Sequence, residues 1–259
     1  MERRLSYRVL GPLQVERGDE TKPIGGHLER AILATLLLTP NEPVSVERLA
    51  DLTWPSRRPR DVGHALRTHV MRLRRHLGQA TVVTTPGAYA ISADPELIDS
   101  HRFDSLVESA NELLWGDQPW RAEAPLASAL KIWPHGEPWC DLAGSTVGDA
   151  ARARLVERRL EVEERLAAIR LQQHRARVDM IEKLALETPL REHRWLLLMH
   201  ALFTAGQQTR ALRSYAVVRS RLQSEAGLLP DLRLRAMEHR ILEQDQTLLD
   251  LDPLDLVLG

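Results

Sequence analysis

The chain has 259 residues, a formal net charge of −1 and a single cysteine, Cys140. This length predicts two domains, and one cysteine excludes an internal disulfide or a cysteine-cluster metal site. The near-neutral charge argues against a protein that coats nucleic acid without regard to sequence.

The charge is unevenly distributed along the chain. Residues 1–95 contain 14 Lys and Arg against 10 Asp and Glu, whereas the remainder contains 21 against 26. No apolar run approaches the ~18 residues of a membrane span, and the first residues, MERRLSYRVLG, lack the apolar core of an export signal. We therefore predict a cytoplasmic protein with a basic front, an acidic rear and no membrane partner.

The front of the chain predicts short strands followed by two helices. Residues 7–16, YRVLGPLQVE, alternate apolar and polar positions as strands do. Residues 27–38, HLERAILATLLL, have helical spacing and end before Pro40. Ser45 is positioned as the N-cap of a second helix, VERLADLTW at residues 46–54.

A loop and an arginine-rich helix come next. Pro55 and Pro59 cannot lie inside a helix, so WPSRRPR at residues 54–60 predicts a loop. Residues 61–77, DVGHALRTHVMRLRRHL, then predict an amphipathic helix. Its apolar stripe consists of Leu66, Val70, Leu73 and Leu77. Arginine binds phosphate oxygens and guanine edges bidentately, although an ordinary solvated helix with unbalanced charge is the alternative at this point.

The last front element is a hairpin. VVTT at residues 82–85 and AYAI at residues 88–91 flank the turn residues Pro86 and Gly87. Strands, three helices and a hairpin in this order predict a winged helix-turn-helix, in which the third helix enters the DNA major groove.

This fold assigns roles to particular side chains. We predict base readout by His64, Thr68, Arg72 and Arg75. We predict phosphate contacts by Arg67, Arg74, Thr84, Thr85 and Tyr89.

From residue 99 onward, helical spacing dominates and strand patterns disappear. A long helix is predicted from Val147, with Leu155, Val162, Leu166 and Ile169 on its buried seam. Its carboxylates Glu161, Glu163 and Glu164 lie among Arg158, Arg159 and Arg165, which predicts a solvated ion-pair face. His193 and His200 have no third ligand, so no metal site is predicted.

Segments in order along the chain resemble the streptomycete antibiotic regulatory protein family. Those similar to its OmpR-type winged helix are YRVLGPLQVE, ERAILATLLL, PVSVERLADLTWP, HALRTHVMRLRRHLG and VVTTPGAYAI. DSHRFDSL and residues 186–242 are similar to its bacterial transcriptional activator domain. The resemblance implies an α+β winged helix-turn-helix domain at residues 1–95 and an all-α tetratricopeptide-like domain at 96–250. The acidic and apolar residues 251–259 are predicted to form a tail, which either docks or stays loose.

The resemblance also implies a function. Such proteins are activators that bind direct repeats in double-stranded DNA near promoters of secondary-metabolite gene clusters and recruit RNA polymerase. The loop arginines Arg57, Arg58 and Arg60 then contact either the polymerase sigma factor or phosphate. We expect a homodimer on DNA, associated with the nucleoid.

Other functions remain open from the sequence. A helical protein-interaction adaptor and a repressor that uses the same winged helix are the alternatives. An enzyme finds no support, because we identify no nucleophile–base pair, cofactor-binding loop or ligand cluster. We therefore predict no catalytic residue, no cofactor and no metal.

Overall fold

The computed structural model describes residues 4–54, 57–116, 118–133 and 136–258. The chain forms two compact units: residues 1–109 with 128–159, and residues 110–127 with 160–259. These units are defined by packing, whereas the proposed boundary after residue 95 divides sequence modules. Helical segments beyond that boundary pack within the first unit.

The first unit begins with a three-stranded antiparallel sheet. Strands β1 (Leu5–Arg8), β2 (Gln14–Arg17) and β3 (Glu20–Lys22) are adjacent in that order. Tyr7 and Val15 are paired across β1 and β2, and both are buried. Side chains alternate between the two faces of a strand, so these residues direct one face of the sheet toward the core. The predicted short strands are confirmed.

Three helices pack together after this sheet: α1 (His27–Leu38), α2 (Val46–Thr53) and α3 (Val62–Leu77). The hydroxyl of Ser45 accepts a hydrogen bond from the backbone N–H of Arg48 at 3.2 Å, which satisfies one free donor of the first turn of α2. The predicted cap and the order of the helices are confirmed.

A second sheet contains the predicted hairpin. Strands β4 (Val44–Ser45), β5 (Val82–Thr85) and β6 (Ala88–Ile91) pair antiparallel in the order β4-β6-β5. At the turn, Gly87 has a φ of 70°, a conformation that glycine adopts without strain. Pro86 fixes φ at the preceding position. Strand β4 directly precedes α2 and pairs with β6, so it connects the hairpin to the start of that helix.

Two half-buried carboxylates join later segments to the front of the first unit. Asp99 accepts hydrogen bonds from the backbone N–H groups of Val9 and Leu10, at 2.7 and 3.2 Å. Asp141 binds the guanidinium of Arg30 through two hydrogen bonds of 2.6 and 3.0 Å. These contacts explain why helical segments after residue 95 pack with the strands and with α1.

The remaining helices are α4 (Asp99–Leu114), α5 (Glu123–Ile132), α6 (Thr146–Gln172), α7 (Val178–Glu187), α8 (Glu192–Thr204), α9 (Gln208–Arg221), α10 (Leu232–Leu242) and α11 (Asp255–Leu258). In the second unit, α7, α8, α9 and α10 each pack against the next. The four predicted seam residues of α6 are buried. No helix among the described residues is long and apolar enough to cross a membrane.

The predicted solvated face of α6 requires a correction at Glu164. This side chain is buried and accepts a hydrogen bond from Arg194 Nε at 3.0 Å, and it also pairs with Arg191. Arg194 is buried too, and its Nη2 lies 2.6 Å from Glu163. The prediction failed because it considered only arginines on the same helix, whereas these two arginines come from the start of α8. Glu161 does pair within α6, as expected.

The end of the chain is docked on the second unit. Leu254 and Leu256 are buried, and Gln172 donates a hydrogen bond to Asp252 at 3.0 Å. His200 is buried with its Nε2 3.0 Å from the carbonyl oxygen of Leu248. Among the described residues, the tail is therefore docked rather than loose. Among them, no cluster of three His, Cys, Asp or Glu side chains suits a metal ion.

Candidate nucleic-acid interface

Helix α3 has defined ends and a defined buried face. The carboxylate of Asp61 accepts a hydrogen bond from the backbone N–H of His64 at 2.8 Å, which caps the first turn. Gly78 follows the last turn with a φ of 114°, a region that favours glycine. The four residues of the predicted stripe are at most 1% exposed. The cap and this packing fix which side chains of α3 point outward.

The outward face of α3 is open to solvent and basic. His64, Arg67, Met71 and Arg75 are exposed. Within the described part of the chain, neither Arg67 nor Arg75 forms a hydrogen bond or ion pair. Thr68 is half-buried, and its hydroxyl donates to the carbonyl of His64 at 3.1 Å, which leaves its lone pairs as acceptors. This face therefore presents free guanidinium donors beside an imidazole and a hydroxyl.

Arg74 has a different environment from its neighbours. It is half-buried, and its Nε and Nη2 donate to the carbonyl oxygen of Val82 at 2.8 and 2.6 Å. Its Nη2 also donates to the hydroxyl of Thr84 at 2.7 Å. The guanidinium group thus joins α3 to strand β5. The phosphate contact of Arg74 stays a prediction, and two of its guanidinium nitrogens, Nε and Nη2, already bind the hairpin.

The hairpin residues divide into exposed and buried positions. Thr84 is exposed, whereas Thr85 is half-buried with a hydroxyl that has no hydrogen-bond partner in the described segments. Tyr89 is only 6% exposed, because β6 is the central strand and directs this side chain into the core. The phosphate contact of Tyr89 also stays a prediction, and its buried ring contributes to the core of the hairpin.

The loop before α3 carries its three arginines on the surface. Arg57, Arg58 and Arg60 are exposed, and Arg58 forms an ion pair with Asp51 of α2. Pro55, at the start of the predicted loop, lies outside the described residues together with residue 56. The loop and the exposed face of α3 both contribute positive charge to the first unit.

Sequence reasoning did not identify Glu29 as part of this region. This residue of α1 is only 4% exposed. Its Oε1 lies 2.9 Å from His69 Nδ1 and 3.2 Å from Arg72 Nη1, both on α3. Burial opposes ionisation of the carboxyl, but hydrogen bonds from His69, the backbone and Arg72 outweigh it and hold the pKa of Glu29 below its ordinary value. Glu29 is therefore an ionised carboxylate enclosed between two helices.

The sequence contains a pattern that places Glu29 on the buried face of its helix. Glu29 precedes Ile32, Leu33 and Leu36 by three, four and seven residues, which is the spacing of one helical face. All three are buried. A carboxylate on the buried face of a helix requires a partner, but the pattern alone does not say which segment supplies it.

These features define a class of protein. A capped helix with a basic outer face, supported by two other helices and flanked by a β-hairpin, is the winged-helix form of DNA-binding unit. Here it is followed along the chain by a helical array. The family model described as "Transcriptional regulatory protein, C terminal" matches residues 24–88, and the one described as "Bacterial transcriptional activator domain" matches residues 98–242.

The chain belongs to the streptomycete antibiotic regulatory protein family of transcriptional regulators. It is 30% identical to the regulatory protein DnrI of Streptomyces peucetius, covering 93% of both chains. It is 32% identical to the transcriptional regulator RedD of Streptomyces coelicolor, covering 94% of this chain and 72% of RedD.

Other relatives are longer than this chain. It is 32% identical to the regulatory protein AfsR of Streptomyces griseus, of which it spans 25%. The structure of Mycobacterium tuberculosis EmbR in complex with a low-affinity phosphopeptide superposes with a TM-score of 0.83 and 28% identity. That match covers 93% of this chain and 65% of EmbR. The winged helix and the helical array thus form a shared part of regulators of different length.

Proposed function

We propose that this protein is a sequence-specific activator of transcription that binds direct repeats in double-stranded DNA as a homodimer and recruits RNA polymerase. The observation that carries the proposal is the outer face of α3, which presents Arg67 and Arg75 without partners among the residues that the structure describes. An α-helix fits the major groove, where arginine reads guanine and positions itself on phosphate.

The proposed interface keeps most of the residues predicted from the sequence. Base readout is assigned to His64, Thr68, Arg72 and Arg75, which all lie on α3. We assign phosphate contacts to Arg67 and Thr84, whereas Arg74 and Tyr89 support the hairpin and the hydroxyl of Thr85 is buried. The hairpin then lies along the DNA backbone or in the adjacent minor groove.

The loop arginines provide a second surface. Arg57 and Arg60 are exposed, and Arg58 is partly neutralised by Asp51. We assign this surface to RNA polymerase, including its sigma factor, or to flanking phosphates. The target is proposed to be the promoter of a secondary-metabolite gene cluster, because the chain belongs to a family of antibiotic regulators that includes DnrI and RedD.

Selection from a pool of random-sequence duplexes tests the proposal. The purified protein should enrich a short motif that occurs twice in the same orientation at a fixed spacing. Run-off transcription from a promoter that carries this motif should then increase when the protein is added. A decrease would indicate a repressor that uses the same winged helix. Failure to enrich any sequence would contradict DNA readout and favour a protein-interaction adaptor.

A further inference from the structure

We infer that Glu29 is a positioning residue that holds the Arg72 guanidinium on the DNA-reading face of α3 and thereby sets base specificity at the position that Arg72 reads. This inference rests on the proposed DNA-binding function and extends it to a side chain on α1, outside the recognition helix.

One guanidinium nitrogen of Arg72 contacts Glu29, and much of the Arg72 side chain remains exposed. Its Nη1 lies 3.2 Å from Glu29 Oε1, while 54% of the Arg72 side chain is exposed. Arginine has five N–H donors in a planar fork, so this contact leaves donors for a guanine edge or a phosphate. Arg75 is exposed on the same helix and contacts no such carboxylate in the described ranges of the chain.

The carboxylate itself is held from several directions. His69 Nδ1 lies 2.9 Å from the same Oε1, and the His69 ring packs near Trp54, with 6.2 Å between ring centroids. A Cβ atom placed on Gly25 would lie 3.0 Å from Glu29 Cγ and 3.1 Å from Cδ. The backbone of the α1 entry therefore passes close against the Glu29 side chain and limits its movement.

This arrangement has a consequence for recognition. A free arginine side chain loses rotamer entropy when it is ordered on DNA, and a side chain already held in one orientation loses less. An arginine placed by a buried carboxylate also meets the base at a fixed angle, which bidentate recognition requires. Removing the carboxylate should therefore reduce discrimination between bases more than it reduces general attraction to DNA.

A double-mutant cycle tests the inference on the full chain. Glu29→Gln keeps the shape and one acceptor oxygen but removes the charge. We expect Glu29→Gln and Arg72→Ala to weaken discrimination at the same base pair of the selected motif, Glu29→Gln by about tenfold. In the Arg72→Ala background, Glu29→Gln should have no further effect on this discrimination. Arg75→Ala is the matched control, and its effect should simply add to that of Glu29→Gln.

Two further measurements separate positioning from a structural role. In the free protein, the guanidinium N–H signal of Arg72 should exchange with water faster in Glu29→Gln, while that of Arg75 stays unchanged. Gly25→Ala keeps the carboxylate but displaces it, and should reduce discrimination at the same base pair.

The outcomes distinguish the inference from the proposed function. An effect of Glu29→Gln that is equal with and without Arg72 would overturn the inference while leaving DNA binding intact. An unchanged exchange rate for Arg72 would overturn it as well. If the wild-type protein enriches no DNA sequence, the proposed function fails and the inference fails with it.

Discussion

At the scale of single residues, half-buried carboxylates organise the first unit. Asp99 receives two backbone N–H groups, and Asp141 binds Arg30. Burial raises the pKa of Asp99 to about 6, although the hydrogen bonds from Val9 and Leu10 oppose this shift. The same side chain therefore joins two segments and introduces a dependence of stability on pH.

The Asp99 carboxyl should destabilise the folded protein as the pH rises. Because its folded pKa lies above the unfolded value, the stabilisation is present below the unfolded pKa and is lost as the pH rises through about 6. Relative to Asp99→Asn, the free energy of unfolding of the wild type should fall by about 2 kcal/mol between about pH 4 and about pH 7. Urea unfolding of both proteins across this range measures the difference. Asp19→Asn, at an exposed turn, is the control, and a pH-independent difference would contradict the assignment.

Arg75 provides the residue-scale test of base readout. Arg75→Ala should weaken binding to the selected duplex by about 1 to 3 kcal/mol, because a bidentate contact to a base edge is lost. Fluorescence anisotropy titration measures the change. Arg213→Ala removes an equally exposed arginine from α9 and should leave the affinity unchanged. An unaltered isotherm for Arg75→Ala would exclude Arg75 from the readout set.

Helical periodicity predicted the buried stripe of α3 but not the partners of its flanking arginines. Arg67, Arg72 and Arg74 are all near the edges of that stripe, yet the structure gives each a different environment. The difference arises from Glu29 on α1 and Val82 on β5. A pattern within one helix has no information about groups supplied by other segments.

At the scale of secondary-structure elements, Arg74 couples the recognition helix to the hairpin. Three hydrogen bonds link it to Val82 and Thr84. A lysine at this position keeps the charge but lacks the planar fork that reaches the Val82 carbonyl with two donors.

Arg74→Lys should therefore loosen the hairpin without removing positive charge. We expect a loss of about 1 to 3 kcal/mol in the free energy of unfolding and faster amide hydrogen exchange in β5. Arg75→Lys is the control on the exposed face and should alter neither quantity. Unchanged stability and exchange in Arg74→Lys, combined with weaker DNA binding, would contradict the coupling role and favour the predicted phosphate contact of Arg74.

In the helical unit, Arg194 should be a major determinant of stability. It is 1% exposed and binds Glu163, Glu164 and the carbonyl of Leu184. Arg194→Met would leave a buried carboxylate without this partner, so we expect a loss of about 3 to 5 kcal/mol. Chemical unfolding followed by circular dichroism measures it. Arg213→Met, at an exposed position, is the control, and an equally small effect of both changes would refute the buried network.

The elements themselves were largely predictable, because caps and turns are local. Ser45 caps α2, Pro86 and Gly87 form the turn, and α1 occupies the predicted residues. The buried ion pairs of Glu164 were not predictable, because Arg191 and Arg194 lie more than twenty residues further along the chain. Sequence patterns within a few residues describe elements better than they describe packing.

At the scale of the whole molecule, the order of elements predicted the winged helix-turn-helix, and the resemblance of segments along the chain predicted the family. The sequence modules and the packed units nevertheless differ, because Asp99 and Asp141 attach residues of the second module to the first unit. The sequence did not predict whether the tail is docked or loose, because its short apolar and acidic pattern is compatible with both states. Leu254 and Leu256 become buried only through contacts that local spacing does not specify.

We propose that the basic face of α3 binds DNA by neutralising phosphates and reading bases. The most direct test is the affinity for the selected duplex and for a shuffled duplex across a salt series. We predict that the logarithm of the binding constant falls linearly with the logarithm of salt concentration, by about 0.9 for each neutralised phosphate, with the selected duplex always bound more tightly. Arg67→Ala should reduce the slope by about one. A slope near zero, or equal affinity for both duplexes, would contradict the account.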